Sequence, residues 1–333
     1  MEHSSEEKSP KKGVLGQIVK YVLPLMLGVL ILYFLFRDVK FNDVWVILKD
    51  ANYLVLAFSL LFGLLGNTIR GYRWALMIRP LGYQPKVSTL NYAIFGGYAV
   101  NFIFARAGEI WRCGMVAKEE KIPFSKLLGT MILDRVLDML TVLIITVIAF
   151  FFNMQFLLKE NTGRIDFILN ILTSPVFYLA IIGIVLIIFL VFKFFSHNFI
   201  VKKITNLLVG MGRDMKTIWK MNTKTRLILY SIGIWTSYFF YFYITFFAFG
   251  FTKDLGFTVA LVAFALSSIS MGVPSNGGLG PWQLAIIASL TIYGVDNMSA
   301  TAFATGVFTI QSLWVIFCGL FGIAALTVRK RNR

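Results

Sequence analysis

The sequence predicts an all-α polytopic membrane protein of about six full transmembrane helices plus two re-entrant helical hairpins, laid out as an inverted repeat. Three observations carry this. Of 333 residues, 58% are apolar and only 14% charged, against about 25% charged in soluble domains. Apolar runs recur at about 20 residues, enough to span a roughly 30 Å hydrocarbon core, and not as the shorter alternating segments of a β-barrel. Basic residues also segregate by loop. With a mean hydropathy of +0.76, the chain is not a soluble enzyme, a disordered chain or a disulfide scaffold.

The elements are taken in chain order. Residues 1–16 read as a polar cytoplasmic tail. The first run, 17–36, ends in Phe36-Arg37-Asp38 without a small-residue cleavage site, so it is expected to be retained and not removed as a signal peptide. Further full-length runs cover 52–69, 127–152, 173–195, 227–250 and 299–327. Two stretches fit no crossing. In 87–117, Arg106-Ala-Gly-Glu109 interrupts an apolar run, and the residues beyond it are crowded with charge. In 258–293, Pro274-Ser-Asn-Gly-Gly-Leu-Gly-Pro281 leaves two arms that are short for a span. Backbone broken this way is tolerated in a membrane only where protein or water supplies partners, so both stretches read as re-entrant hairpins. Each half then reads span, span, hairpin, span, over 17–152 and 173–327. Three crossings per half give the halves opposite orientation, the plan of many secondary transporters. Between them, 196–226 is a basic cytoplasmic connector whose residues 199–220 have the spacing of a helix lying on the inner leaflet. Residues 328–333 form a basic cytoplasmic tail.

Charge supports this layout. With the N-terminus inside and each hairpin leaving by the side it entered, 23 basic residues fall inside, six outside and three in the membrane. That obeys the positive-inside rule, and it explains the net charge of +16 without a nucleic-acid partner. It counts Arg70 and Arg73 as loop residues near the inner end of the second span. Cys113 and Cys318 sit in apolar surroundings and no CxxC occurs, so neither a disulfide nor a zinc site is expected. His3 and His197 are isolated. No metal, other cofactor or catalytic histidine is therefore expected.

Chemistry is expected where charge enters the membrane. Arg106, Glu109, Arg112, Asp134, Arg135 and Asp138 lie at membrane depth, where each unpaired charge costs about 2.5–3.5 kcal/mol or more. Arg106, Glu109 and Arg112 are spaced i,i+3 and can share a helix face. Asp134 and Asp138 are spaced i,i+4, and Arg135 points about 100° away. Arginine forks suit phosphate. Half-helices starting near Gly108 and at Pro281 offer free N–H groups to an anion. Gly277, Gly278 and Gly280 let backbone approach a ligand. Asn101, one turn before the first tip, with Pro274 and Gln283 of the second break, completes the candidate substrate-binding set. The same charges also read as a structural lock between hairpin and neighbour, and the two roles are compatible. Asn67, Arg70, Arg73 and Trp74 read as interfacial anchors.

These residues carry a resemblance. Arg106-Ala-Gly-Glu109-Ile-Trp-Arg112, Asp134-Arg135-Val-Leu-Asp138, Pro274-Ser-Asn-Gly-Gly-Leu-Gly280 and the upstream Arg70-Gly-Tyr-Arg-Trp74 resemble the lysylphosphatidylglycerol synthase transmembrane region family, over about 20–327. The resemblance implies a multi-pass protein of the prokaryotic cytoplasmic membrane. In the family's best-understood members this region flips aminoacylated phosphatidylglycerol that a cytosolic domain makes. Other members stand alone and are linked to polyprenyl-linked sugar pathways. The chain departs from the family pattern twice. Phe104-Ala105 precedes the first arginine where the family has proline, and Gln283 stands where the family has glutamate.

The function expected is a flippase that moves a phospholipid or polyprenyl-linked glycolipid head group through a polar site at the membrane midplane. Its partners are membrane lipids with anionic or phosphate-bearing heads. A non-transporting partner of a lipid- or glycan-modifying enzyme is the alternative. A membrane-embedded transferase fits less well, because the sequence shows no soluble catalytic domain and no paired-aspartate metal motif.

Overall fold

A computed structural model describes residues 41–159 and 224–331. The expected runs 17–36 and 173–195, the N-terminal tail, most of the connector and the last two residues of the C-terminal tail lie outside these residues, and the last helix continues through Arg331 into that tail. The described chain is helical without a strand: α1 (Phe41–Lys49), α2 (Tyr53–Ile78), α3 (Val87–Ile103), α4 (Gly108–Glu120), α5 (Phe124–Lys159), α6 (Lys224–Tyr243), α7 (Gly256–Ser270), α8 (Pro281–Ile292) and α9 (Asn297–Arg331). Short 3₁₀ turns extend α2 over Arg79–Leu81 and α6 over Ile244–Ala248. Four helices are long and apolar enough to cross a membrane: Tyr53–Leu81, Phe124–Asn153, Lys224–Ala248 and Asn297–Val328. They coincide with four of the expected spans. The protein is an all-α polytopic membrane protein.

Local signals set the element ends. Asn52 caps α2 by accepting from the N–H groups of Leu54 (3.1 Å) and Val55 (3.3 Å). No proline interrupts α2 until Pro80, followed by Gly82 in a left-handed φ of 89°. The helix therefore runs past residue 69, where the hydropathy pattern placed its end. Between α3 and α4 the chain turns through Arg106, which carries the left-handed φ of 61°. Between α7 and α8, Gly277, Gly278 and Gly280 all take positive φ, which glycine adopts at no steric cost.

The side-chain pairings fix each helix's direction. Gly63 lies under Tyr241 and Gly66 under Tyr238, so α2 and α6 run antiparallel. Gly319 meets Phe95 and Ala99, and Gly322 meets Tyr92, so α9 runs antiparallel to α3. A side chain at either glycine would strike α3 backbone or Ala99. This is the small-residue contact that lets membrane helices approach, without the four-residue spacing. The start of α5 packs at the open end of the first hairpin, where Ile122 and Leu127 join Val116 and Leu90. Its far end meets the open end of the second: Asn153 donates to the Thr258 carbonyl (3.4 Å) and accepts from Tyr293 (3.0 Å). The hairpins α3–α4 and α7–α8 thus open at opposite ends of the bundle. Their first arms are also embraced crosswise, α3 by α9 and α7 by α5.

The tips meet between those ends. Arg106 Nη2 donates to the carbonyls of Met271 (2.8 Å) and Gly272 (2.7 Å), just beyond α7. Asn276 Nδ2 donates to the carbonyls of Phe102 (3.2 Å) and Ile103 (3.3 Å), at the end of α3. Each broken helix end thus receives donors from the opposite tip, which satisfies carbonyls the helix itself leaves unpaired.

Two apolar clusters flank the middle of the bundle. One is aromatic: Phe239, Phe242, Phe246, Phe264 and Phe303 are joined by ring contacts of 5.3–6.2 Å. The other holds Trp74, Leu90, Ile94, Val116 and Leu127. On α5, residues from Met139 to Phe152 turn a broad apolar face outward, as expected for a helix against lipid acyl chains.

Candidate functional site

Between the two clusters lies a layer of buried charge. Asp134 and Asp138 stand one turn apart on one face of α5. Two arginines of α2 bridge them. Arg73 Nη2 reaches Asp134 Oδ1 at 2.6 Å and Asp138 Oδ1 at 2.7 Å. Arg70 Nη1 reaches Asp134 Oδ2 at 3.0 Å and Asp138 Oδ2 at 2.6 Å. Both guanidinium groups are at least 97% buried. α6 supplies the remaining partners. Ser231 accepts from Arg73 Nη1 (2.9 Å), Trp235 donates to Asp138 (3.3 Å), and Tyr238 accepts from Arg70 Nε (3.3 Å) while donating to Asn67 (2.6 Å). This dense bonding is what permits ions in a low dielectric.

α4 approaches from the other side. Arg112 Nη2 lies 3.3 Å from Asp134 Oδ2, and its guanidinium stacks 4.9 Å over the Trp74 ring. Trp74 is held in turn by donating to Thr130 (2.9 Å). Arg135 curls back along α5 to Asp134 (3.4 Å) and Asp138 (3.7 Å), and faces Glu109 at 4.0 Å. The layer sets four arginines against three carboxylates, an excess of one positive charge.

A cleft opens beside this layer, lined by Gly97, Tyr98, Asn101, Gly108, Glu109, Arg112 and Arg135. Its free volume is about 10 Å³, close to one water molecule. Its floor is tight: a side chain on Gly97 would meet the Gly108 carbonyl at 2.8 Å. Asn101 Oδ1 accepts the Gly108 N–H at 2.7 Å and caps the start of α4. Among the described residues no group of three or more His, Cys, Asp or Glu is placed to hold a metal ion.

Of the residues expected at the site, Asn101, Gly108, Glu109, Arg112 and Arg135 line the cleft, with Asp134 and Asp138 directly behind. The expected shared face of Arg106, Glu109 and Arg112 is corrected. Arg106 precedes α4 in a left-handed turn and bonds the other hairpin. Gly277 and Gly278 belong to the tip opposite, Gly277 lying against Phe102. Pro274 is exposed there. Gln283 accepts the Gly280 N–H at 2.8 Å, closing the start of α8. An amide carbonyl serves that capping role fully. The reading of Arg70, Arg73 and Trp74 as interfacial anchors is also corrected, since all three are buried. Asn67 is buried with them, held by Tyr238. Two aspartates on one helix face required more cation than Arg112 alone, and the absence of any proline before Pro80 was the signal that α2 could bring it.

The sequence pattern of the lysylphosphatidylglycerol synthase transmembrane region matches residues 21–319. The chain belongs to that family. Within the lysylphosphatidylglycerol synthase transmembrane region family, the matched stretch takes in the whole charged layer, both hairpins and most of α9. A 125-residue stretch is also 31% identical to a Haloferax volcanii protein named glycosyltransferase AglD. That stretch is 37% of this chain and 20% of the relative, so the chain matches about a fifth of that protein's length. No solved structure matches the chain.

Proposed function

We propose that this protein moves the polar head of a phospholipid or polyprenyl-linked glycolipid across the prokaryotic cytoplasmic membrane, both termini lying in the cytoplasm. One observation carries the reading: a cleft lined by Arg112, Arg135 and Glu109 opens off a charged layer with surplus positive charge, next to the point where two opposed hairpins touch. Broken helices meeting inside a bundle are where secondary transporters bind their cargo. An anionic head needs compensating cation at that depth. Membership of the lysylphosphatidylglycerol synthase transmembrane region family supports a lipid as cargo. The basic residues near the open end of the first hairpin, Lys86, Lys118, Lys121 and Lys126, support placing that end inside.

The test uses purified protein in vesicles holding fluorescent phosphatidylglycerol, aminoacylated phosphatidylglycerol or a polyprenyl-phosphate sugar. A membrane-impermeant quencher reads exchange between leaflets. One lipid should exchange faster than in empty vesicles, and Arg112→Ala should slow it at least fivefold at equal protein level. Unchanged exchange in that variant removes Arg112 from the pathway. No exchange of any lipid by folded protein overturns transport. The second reading, a membrane partner of a glycan-modifying enzyme, is favoured by the likeness to a protein named glycosyltransferase. It predicts that substitutions in the charged layer leave the partner enzyme's output intact.

A further inference from the structure

Three polar atoms in the charged layer are buried and have no partner among the described residues: Arg112 Nε, Arg135 Nε and Glu109 Oε2. A buried polar group left unpaired costs about 1–3 kcal/mol, more when it is charged. Each such group in a native structure calls for a partner, whether water, ion or ligand. Here all three belong to residues lining the same cleft, and the Arg112 side chain is 96% buried. Two of the atoms are cationic N–H donors and the third is an anionic acceptor. They are not a mutual ion pair that has come apart, because Arg135 already faces Glu109 through other atoms, Nη1 and Oε1, at 4.0 Å. Arg112 Nη2 is engaged with Asp134, and Arg135 Nη2 with Asp134 and Asp138.

The geometry points to a ligand with two features side by side. An anionic oxygen would take the Arg112 and Arg135 Nε–H groups. An adjacent hydrogen-bond donor, an ammonium or a hydroxyl, would give its hydrogen to Glu109 Oε2. The inference rests on the head-group reading and deepens it: Glu109 selects phosphate esters that carry a donor next to the phosphate. A head whose nitrogen is fully methylated offers no hydrogen and leaves Glu109 Oε2 desolvated and unpaired. That mismatch is how a site built for a donor rejects an analogue lacking one. Gly108 and Gly97 pack backbone to backbone at the floor of the cleft, so no side chain there competes with Glu109 for the donor. Asn101 is spent on the Gly108 N–H and cannot replace Glu109 as the acceptor.

The test measures binding and needs no transport. Purified full-length protein is titrated with phosphoethanolamine, glycerol phosphate, phosphocholine and inorganic phosphate, following thermal stabilisation. The two donor-bearing esters should bind about tenfold or more tightly than phosphocholine, the expected scale for a charge-assisted hydrogen bond. In Glu109→Gln the preference for phosphoethanolamine should fall toward one, while inorganic phosphate binding stays within about twofold. Equal binding of all three esters, or binding of none at millimolar concentration, overturns the inference without any variant being needed. Repeating the comparison with phosphatidylethanolamine and phosphatidylcholine in nanodiscs assigns the source. Discrimination there names a lipid head, and discrimination confined to the soluble esters names a free phosphate ester. Discrimination in binding without leaflet exchange would overturn the transport reading and leave this one standing. Exchange without discrimination would do the reverse.

Discussion

Asp134 has no exposure and accepts from four guanidinium groups. Removing one cation strips buried Asp134 of a partner that water cannot replace, and breaking a buried pair costs about 3–5 kcal/mol. Arg73 makes the shortest contact to Asp134 and also engages Asp138, so Arg73→Met is expected to lower the unfolding temperature in detergent sharply. Arg112 makes a single 3.3 Å contact in the layer, and Arg112→Ala should cost clearly less. If the two variants unfold alike, the layer does not depend on the α2 arginines. A second residue answers to pH. Asp296 precedes α9 and accepts the Ser299 N–H at 2.9 Å. Hydrogen bonds from Ser299, first from its hydroxyl and then from its N–H, hold the Asp296 carboxyl below its ordinary value. A carboxyl lowered by folding stabilises the fold above its unfolded pKa of about 3.9, and that contribution is lost as pH falls through the lower folded value. Asp296→Ala should therefore lower thermal stability at neutral pH, by about 1 kcal/mol for a lost cap. The gap to the wild type should narrow on acidification below about pH 4. A gap that stays constant would contradict the capping role.

At the scale of elements, the two hairpins hold each other by exchanged donors. Arg106 serves the end of α7, and Asn276 serves the end of α3. Neither arm pair has a complete backbone inventory alone. Asn276→Ala is expected to unpair the Phe102 and Ile103 carbonyls and to loosen the first hairpin as well as its own. The measurement is hydrogen exchange at 97–110, a region the substituted residue does not belong to in sequence. Protection changing only at 271–283 would show that the tips are independent. Glycine matters at one crossing in particular. Gly108 and Gly97 bring two backbones together with no room for a methyl group, so Gly108→Ala should displace α4 and close the cleft.

At the scale of the molecule, α5 spans from the open end of one hairpin to the open end of the other. The open ends of the two hairpins therefore lie towards opposite faces of any membrane that α5 crosses. Cysteines placed at Lys121, beyond α4, and at Lys253, before α7, should be labelled by an impermeant reagent from opposite sides of sealed vesicles. The native Cys113 and Cys318 are buried and give low background. Labelling of both from one side would refute the opposed arrangement. The crosswise embrace, α3 by α9 and α7 by α5, is the contact pattern expected if the halves are inverted copies. Among the described residues the buried ions gather on α2, α4 and α5.

Composition and run length by themselves determined the membrane class, the helical content, four of the spans and the two breaks. Each depends on local quantities: how many apolar residues occur in succession, and where glycine or proline denies the backbone its partners. The same local reading could see that Arg112, Asp134 and Asp138 were costly at depth. It could not see what offset the cost. Arg70 and Arg73 looked like loop residues because hydropathy averages charge over a window, whereas burial depends on what lies across the helix interface. Asp134 and Asp138 are more than 60 residues from Arg70 and Arg73 in sequence. Arg106 looked equivalent to Arg112 by its spacing, and one left-handed residue turned it to the opposite hairpin. Pairing across distance and the direction a side chain takes out of a turn are decided only when the helices meet. That is why the charged residues could be named from the sequence, while their partners and the cleft between them came from the tertiary structure.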